Sequence, residues 1–265
     1  MTDWLGTCRA CVADIREVLE RLPTRVEREP VLRLGEGGDD TTAIDEAAEQ
    51  AVVAQLEATG DSFVLVSEEL GERAFGNGGP MRVVVDPIDG SVNAKRGIPF
   101  FSFSLAVADG PTMGDVVFGY VYDLGTGEEW TAERGAGATL GGVGLGGVRP
   151  KETIEILAFE GTTSESVAAA IDGIVGVARR VRVMGSLALS LCHLAAGRVD
   201  AVCSLKGARS VDIAAAQLLV RELGLAIELV GGSPFVEAPL DLVPRSQVVA
   251  AATPELVSAV ASALR

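Results

Sequence analysis

The stretch that most constrains this chain is Val83-Val84-Val85-Asp86-Pro87-Ile88-Asp89-Gly90-Ser91-Val92-Asn93. Three β-branched apolar residues read as a buried strand, and the Asp-Pro step that follows is expected to stop it at Asp86, because proline offers no ladder donor and restricts its predecessor. Asp86 and Asp89 then flank a tight turn, and both carboxylates can converge at the strand's carboxyl end, where open α/β sheets place their ligands. No base lies between them, so they repel one another unless a cation is present. Hard oxygen donors at this spacing suit magnesium, which is usually held by a few carboxylates together with substrate phosphate. Gly90 and Ser91 let an anion approach the backbone, and a helix opening here aims the N–H groups of residues 91–93 at a phosphate. The same residue types also build ordinary acidic surface turns. They do not fit an EF-hand, whose central glycine and closing glutamate fall at other offsets.

The rest of the chain must supply partners for this turn. At 265 residues and 48% apolar, it is long enough for one large domain or two small ones. No run approaches 18 apolar residues and the N-terminus lacks a signal-peptide pattern, so a soluble, cytoplasmic protein is expected. A formal charge of −15 argues against nucleic acid or anionic membranes as partners. The same charge would repel an anionic substrate, a conflict that bound divalent cations resolve locally. Cys8 and Cys11 lie on the apolar stripe of a helix, no second pair completes a zinc site, and Cys192 and Cys203 read as core residues.

Helical spacing predicts a helix over residues 4–22, followed by an irregular, acidic loop that ends near 41 and includes a Gly- and Asp-rich run at 35–40. Thr41 or Thr42 caps a second helix, with Asp45 in its first turn, where a carboxylate ordinarily complements the helix dipole. A short strand over 63–66 ends in Ser67-Glu68-Glu69. Further strands are expected at 101–108, 115–122 and 128–132, and the glycine-dense 135–147 segment as turn and loop. Pro150 marks a boundary between an N-terminal half (1–150) and a C-terminal half (151–265) in which strands alternate with helices. The second half holds the single histidine, His193, among apolar neighbours that favour packing over catalysis, and Asp212 at a helix start, ordinarily a cap. The two halves are expected to form one layered αβαβα body with the site in the crevice between them.

Asp86-Pro-Ile-Asp-Gly-Ser-Val-Asn, preceded by Ser67-Glu68-Glu69 and followed by Ser210-Val211-Asp212-Ile213-Ala214-Ala215, resembles the inositol monophosphatase family of magnesium-dependent phosphatases. The similarity runs from about residue 35 to 264 and is greatest to archaeal-type enzymes that hydrolyse both fructose 1,6-bisphosphate and inositol 1-phosphate. It implies an α/β sandwich of the sugar-phosphatase type, commonly a homodimer, with two or three magnesium ions at each active site. By resemblance, Glu68, Asp86 and the Ile88 carbonyl hold the first ion. Asp86, Asp89 and Asp212 hold the second, and Asp45 helps with a weaker third. Metal-activated water attack is implied, with Glu68, Asp45 and Ser91 in catalytic roles, Ser91 orienting the water, and Gly90 and Ser91 N–H groups binding the phosphate. Glu69 is a neighbour without an assigned role. Ser186, Arg182, Lys206 and Arg209 are the expected substrate contacts. The three bases could receive a second phosphate, and the glutamate that inositol-preferring relatives use would fall near Leu205, where none stands. Adenosine 3′,5′-bisphosphate, histidinol phosphate and NADP are substrates of other relatives, and a non-catalytic metal-binding regulator is the reading of a different class.

Overall fold

The computed structural model describes residues 2–38, 40–243 and 246–264. The chain opens with α1 (Trp4–Arg21) and the short α2 (Arg25–Arg28), then a hairpin of β1 (Val31–Leu34) and β2 (Asp40–Thr42), then α3 (Ala43–Ala58). An eight-stranded sheet follows among the described residues: β3 (Phe63–Ser67), β4 (Gly71–Phe75), β5 (Arg82–Asp89), β6 (Ser102–Ala108), β7 (Val116–Asp123), β8 (Glu129–Glu133), β9 (Gly137–Leu140) and β10 (Val143–Gly144). The short α4 (Ser91–Arg96) lies between β5 and β6. A five-stranded sheet is built from β11 (Ile154–Glu160), β12 (Ala178–Val183), β13 (Ala201–Ser204), β14 (Ala226–Leu229) and β15 (Val248–Ala251), in the order β12-β11-β13-β15-β14. The helices of this part are α5 (Ser164–Ile174), α6 (Leu187–Ala195), α7 (Ser210–Glu222) and α8 (Pro254–Ala263).

Side-chain alternation along the strands assigns the layers. Val83 and Val85 of β5, with Phe103, Leu105 and Val107 of β6, share a core with α1 and α3. Val84 and Ala106, on the opposite face, share a core with α6 and α7. In the second sheet Leu157 and Phe159 face α5 and α8, whereas Ala158 turns toward α6 and α7. The result is the layered order α1/α3, sheet, α6/α7, sheet, α5/α8, an α/β sandwich. Small residues bring α7 close: a Cβ on Gly119 would stand 2.6 Å from the Ala215 carbonyl. By the same parity Asp86 and Glu160 both point into the central helix layer, because they follow Val84 and Ala158 by one repeat. No described helix is long and apolar enough to cross a membrane.

The structure departs from the sequence-based expectations in several places. The Asp86-Pro87 step does not end its strand. β5 runs on to Asp89 through an irregularity in which Asp86 pairs with Ser104 and Asp89 with Ser102, so one extra residue is accommodated on the β5 side. Proline is tolerated at such a bulge because the ladder is already interrupted there. The irregular loop before residue 41 contains α2 and the β1–β2 hairpin, held by pairs such as Val31 with Thr42. Asp39 of its acidic run lies outside the described residues. The 135–147 segment is not all loop, since β9 pairs with β8 and β10 with β9. β4, which the alternation did not single out, pairs antiparallel with β3 at the sheet edge.

Candidate active site

Two strand ends and one helix start converge where the sheets meet the central helices. Glu68 follows β3, Asp86 sits at the bulge of β5, and Asp212 occupies the first turn of α7. One carboxylate oxygen from each of these residues lies within 4.8 Å of the other two. Asp89, at the end of β5, lines the adjoining cleft with Asp212. Its Oδ2 accepts from the Ser186 hydroxyl at 2.5 Å and from the Ala188 N–H at 2.8 Å.

This crowding has an electrostatic signature. Burial, then Glu68, Asp89 and Asp212, push the Asp86 carboxyl well above the usual carboxylate range. Burial pushes Glu68 up to about 8 against the pull of Arg209, and Asp89 up to about 6 against its hydrogen bond from Ser186. Such values mark acids that lack enough positive charge nearby. Arg209 is the cation that does reach them, 2.7 Å from Glu68 and 3.2 Å from Asp212. Burial lowers its own pKa, and Asp212 and Glu68 more than reverse that.

A second, smaller cavity of about 10 Å³ lies behind the cluster, lined by Asp45, Glu68, Glu69, Asp86, Pro87, Ile88 and Ser91. Asp45 Oδ2 accepts from the Thr42 N–H at 3.1 Å and from its hydroxyl at 2.5 Å, the cap expected of a first-turn acid. Asp45 Oδ1 is buried without a hydrogen-bond partner among the described residues. Glu69 is buried beside it and accepts from the Thr41 hydroxyl. A buried acceptor left orphaned, next to three carboxylates gathered within 4.8 Å, is the environment a hard cation satisfies. The donor set therefore fits a metal ion.

The turn after β5 is held by its neighbours. Gly90 has φ +95°, and a Cβ there would stand 2.8 Å from the Gly185 carbonyl, so glycine is required twice over. The Ser91 hydroxyl donates to the Ile88 carbonyl at 3.0 Å. Asn93 donates to the carbonyls of Phe100 and Met184, at 2.8 and 2.7 Å, stapling α4 to the second half of the chain.

The cleft in front of the cluster has a volume of about 450 Å³. Lys206 lines it, together with Gly37, Glu160, Gly185 and Ser204. The other expected substrate contacts are engaged differently. Ser186 is 1% exposed, and its hydroxyl holds Asp89 and receives the Leu189 N–H, so it caps α6 and orients a carboxylate. Arg182 is exposed on the edge strand β12, donates to the Val181 carbonyl, and is not part of the cleft lining. Arg209 lines the cleft but turns its guanidinium into the acidic cluster and toward the Gly37 carbonyl, 3.4 Å away. Its fourteen per cent side-chain exposure excludes a solvated surface charge. Gly37 also donates its N–H to the Glu68 carbonyl at 2.9 Å, so the segment before β2 covers the site.

Sequence reasoning passed over two buried acids. Glu49 on α3 accepts from the Ser67 hydroxyl with both oxygens, at 2.6 and 2.8 Å, directly behind Glu68. Glu160 ends β11 and accepts from the Ser190 hydroxyl at 2.6 Å and the Gly185 N–H at 2.8 Å. Burial pushes both up to about 7, against those hydrogen bonds. The signal was present: Glu160 closes an apolar run just as Glu68 closes another, and Glu49 lies on the buried face of its helix. His193 packs edge-on against Phe100, with ring centroids 5.5 Å apart, and burial lowers its pKa.

An α/β sandwich that gathers acids from two strand ends and a helix start beside a glycine turn and an open cleft is the architecture of a phosphatase. The family model described as "Inositol monophosphatase family" matches residues 6–265, and the chain belongs to that family. The fructose-1,6-bisphosphatase/inositol-1-monophosphatase of Methanothermobacter thermautotrophicus is 33% identical over 96% of this chain and 93% of that protein. The solved structure of an inositol monophosphatase-fructose 1,6 bisphosphatase superposes with a TM-score of 0.85 at 26% identity, covering 99% of this chain and all of that one. The bifunctional NADP phosphatase/NAD kinase of Methanococcus maripaludis is 29% identical over 93% of this chain but 46% of its own length.

Proposed function

We propose that this phosphatase is magnesium-dependent and hydrolyses small sugar or polyol phosphates, fructose 1,6-bisphosphate and inositol 1-phosphate foremost. The observation that carries the reading is the Glu68, Asp86 and Asp212 oxygens within 4.8 Å of one another, at the head of a cleft that holds Lys206. Glu68, Asp86, Asp89, Asp212 and the Ile88 carbonyl would hold the ions nearest the substrate, and Asp45 a further one. Bound magnesium neutralises phosphoryl charge and supplies an acidified water as the nucleophile.

The chain's own groups do the positioning. The N–H groups of Ser91 and Val92 begin α4 without intrahelical acceptors and are available to phosphate oxygens. The Ser91 hydroxyl, anchored on the Ile88 carbonyl at 3.0 Å, keeps its oxygen lone pairs for orienting the attacking water. Lys206 lines the cleft and would meet a second phosphate there, which supports a bisphosphate, and the names of the archaeal relatives favour the same substrates.

The test is inorganic phosphate release from fructose 1,6-bisphosphate, inositol 1-phosphate, adenosine 3′,5′-bisphosphate, histidinol phosphate and NADP, each with magnesium and with chelator. Release from the first two, abolished by chelator, is expected. Release unaffected by chelator overturns the metal requirement, and preference for one of the last three overturns the substrate assignment.

A further inference from the structure

Resting on the proposed metal-dependent reading, we propose that Glu160 is a positioning residue of the phosphatase: its carboxylate fixes the Met184–Ser186 turn and, through the Ser186 hydroxyl, the orientation of Asp89. The path is continuous. Glu160 Oε2 accepts from the Gly185 N–H at 2.8 Å, and Oε1 accepts from the Ser190 hydroxyl at 2.6 Å, one turn into α6. Ser186, the next residue along, donates to Asp89 Oδ2 at 2.5 Å and caps α6 by receiving the Leu189 N–H at 3.2 Å. Asn93 grips the other side of the same turn through the Met184 carbonyl at 2.7 Å.

Two features argue that the turn needs this clamp. Gly185 has φ +98°, and a Cβ on it would stand 2.8 Å from the Asn93 amide nitrogen, so the turn is a close-fitting, left-handed one. Glu160 itself is 1% exposed at the end of a central strand, and a bare carboxylate is costly to bury. When ionised, the carboxylate is acceptor-only and receives the backbone N–H and the hydroxyl together. A carboxamide keeps one oxygen for the Gly185 N–H but must donate to the Ser190 oxygen where the carboxylate received its hydroxyl, so the charge-assisted clamp is weakened and the Ser190 hydroxyl must turn. Water cannot replace the clamp cheaply at so buried a position. The clamp and the carboxylate it orients come from β11 and β5, in different sheets, so the shape of the site across the two halves depends on it.

The experiment compares E160Q, S190A, S186A and the double variant E160Q/S186A, by calorimetric titration of the metal-free proteins with magnesium, by thermal melting, and by kcat and KM for the substrate that the release assay selects. E160Q is expected to weaken magnesium binding about tenfold, in the range seen when partners behind metal ligands are removed, and to lower kcat while moving KM less than about twofold. S190A should produce a smaller change of the same kind, and it reports on the clamp even if E160Q fails to fold. The double variant should be no worse than S186A alone, since both residues act through one path. Wild-type magnesium affinity in E160Q and S190A, or fully additive losses in the double variant, overturns the inference and leaves Glu160 as a packing residue. D89N separates this from the parent reading. Undiminished magnesium-dependent turnover in D89N overturns the metal-ligand assignment itself. An inactive D89N beside a wild-type-like E160Q overturns only the clamp.

Discussion

Asp86 and Asp212 reach the same point from opposite walls of the site, and their surroundings differ in kind. Asp86 sits at the bulge of β5 and is 3% exposed. Its Oδ1 accepts from the Ile88 N–H at 3.0 Å, and three other acids, Glu68, Asp89 and Asp212, press on it. Asp212 begins a helix, accepts from the Arg209 N–H at 2.7 Å and pairs with the same residue's guanidinium at 3.2 Å. Asp86 is pressed by acids from several elements, whereas Asp212 has a cation three residues away on its own helix start. The demand for an outside cation is thus created at the ends of β3 and β5, and the start of α7 completes the donor set.

The sharpest way to break this comparison is to neutralise each acid in turn. D86N should lower kcat by about 10²–10³-fold, the loss expected when a group that organises transition-state charge is removed. Its metal-free form should melt no lower than wild type, because a repelled buried charge is gone and the amide oxygen can still receive the Ile88 N–H. D212N should also lose activity, but its metal-free form should melt lower, by about 0.3–1 kcal/mol, because the helix start and Arg209 both lose their acid. Equal melting shifts in the two variants would erase the distinction between the walls.

A pH series sharpens the comparison further. The raised values of Glu68, about 8, and Asp89, about 6, mean that the folded protein keeps protons which the unfolded chain releases near 4 to 4.5. The unfolded state therefore binds fewer protons over this interval, and stability of the metal-free protein falls as pH rises from about 4 to about 8. On the proposed reading, added magnesium should bind the ionised carboxylates and flatten the slope, with its largest stabilisation at the alkaline end. Melting temperatures at several pH values, with chelator and with magnesium, check both signs. A metal-free protein that grows more stable toward pH 8 contradicts the picture.

The smallest expected effect concerns Asp45, which faces the minor cavity and not the shared point. D45N should raise the magnesium concentration needed for half-maximal activity by up to about tenfold and change saturated kcat less. A loss as large as that of D86N would show that the two cavities act as one centre.

Much of the architecture could be read in residue order. The apolar runs at 63–66 and 83–85, the Thr42 cap with Asp45, and the small residues of α7 all express local rules of alternation and capping. The misreadings have physical causes. Pro87 looked like a terminator because a lone strand loses a bond there, whereas the antiparallel neighbour β6 absorbs the extra residue as a bulge. The 24–41 segment lacked periodicity because its hairpin is short and β1 largely exposed, so no apolar stripe marks it. Ser186 and Arg209, expected as substrate contacts, are held by Asp89 and by Glu68 and Asp212, carboxylates that neither sequence position reveals.

From residue order alone came the kinds of atoms available: hard oxygen donors after two apolar strands and at one helix start, with a glycine turn between them in the chain. Their distances, the burial that raises the pKa values of Glu68, Asp86 and Asp89, and the support from Glu49 and Glu160 were decided only by the packing of two sheets around α6 and α7. Local rules act over a few residues, but desolvation and charge repulsion depend on which groups share a small volume. In this chain those groups lie as far apart in sequence as Glu68 and Asp212.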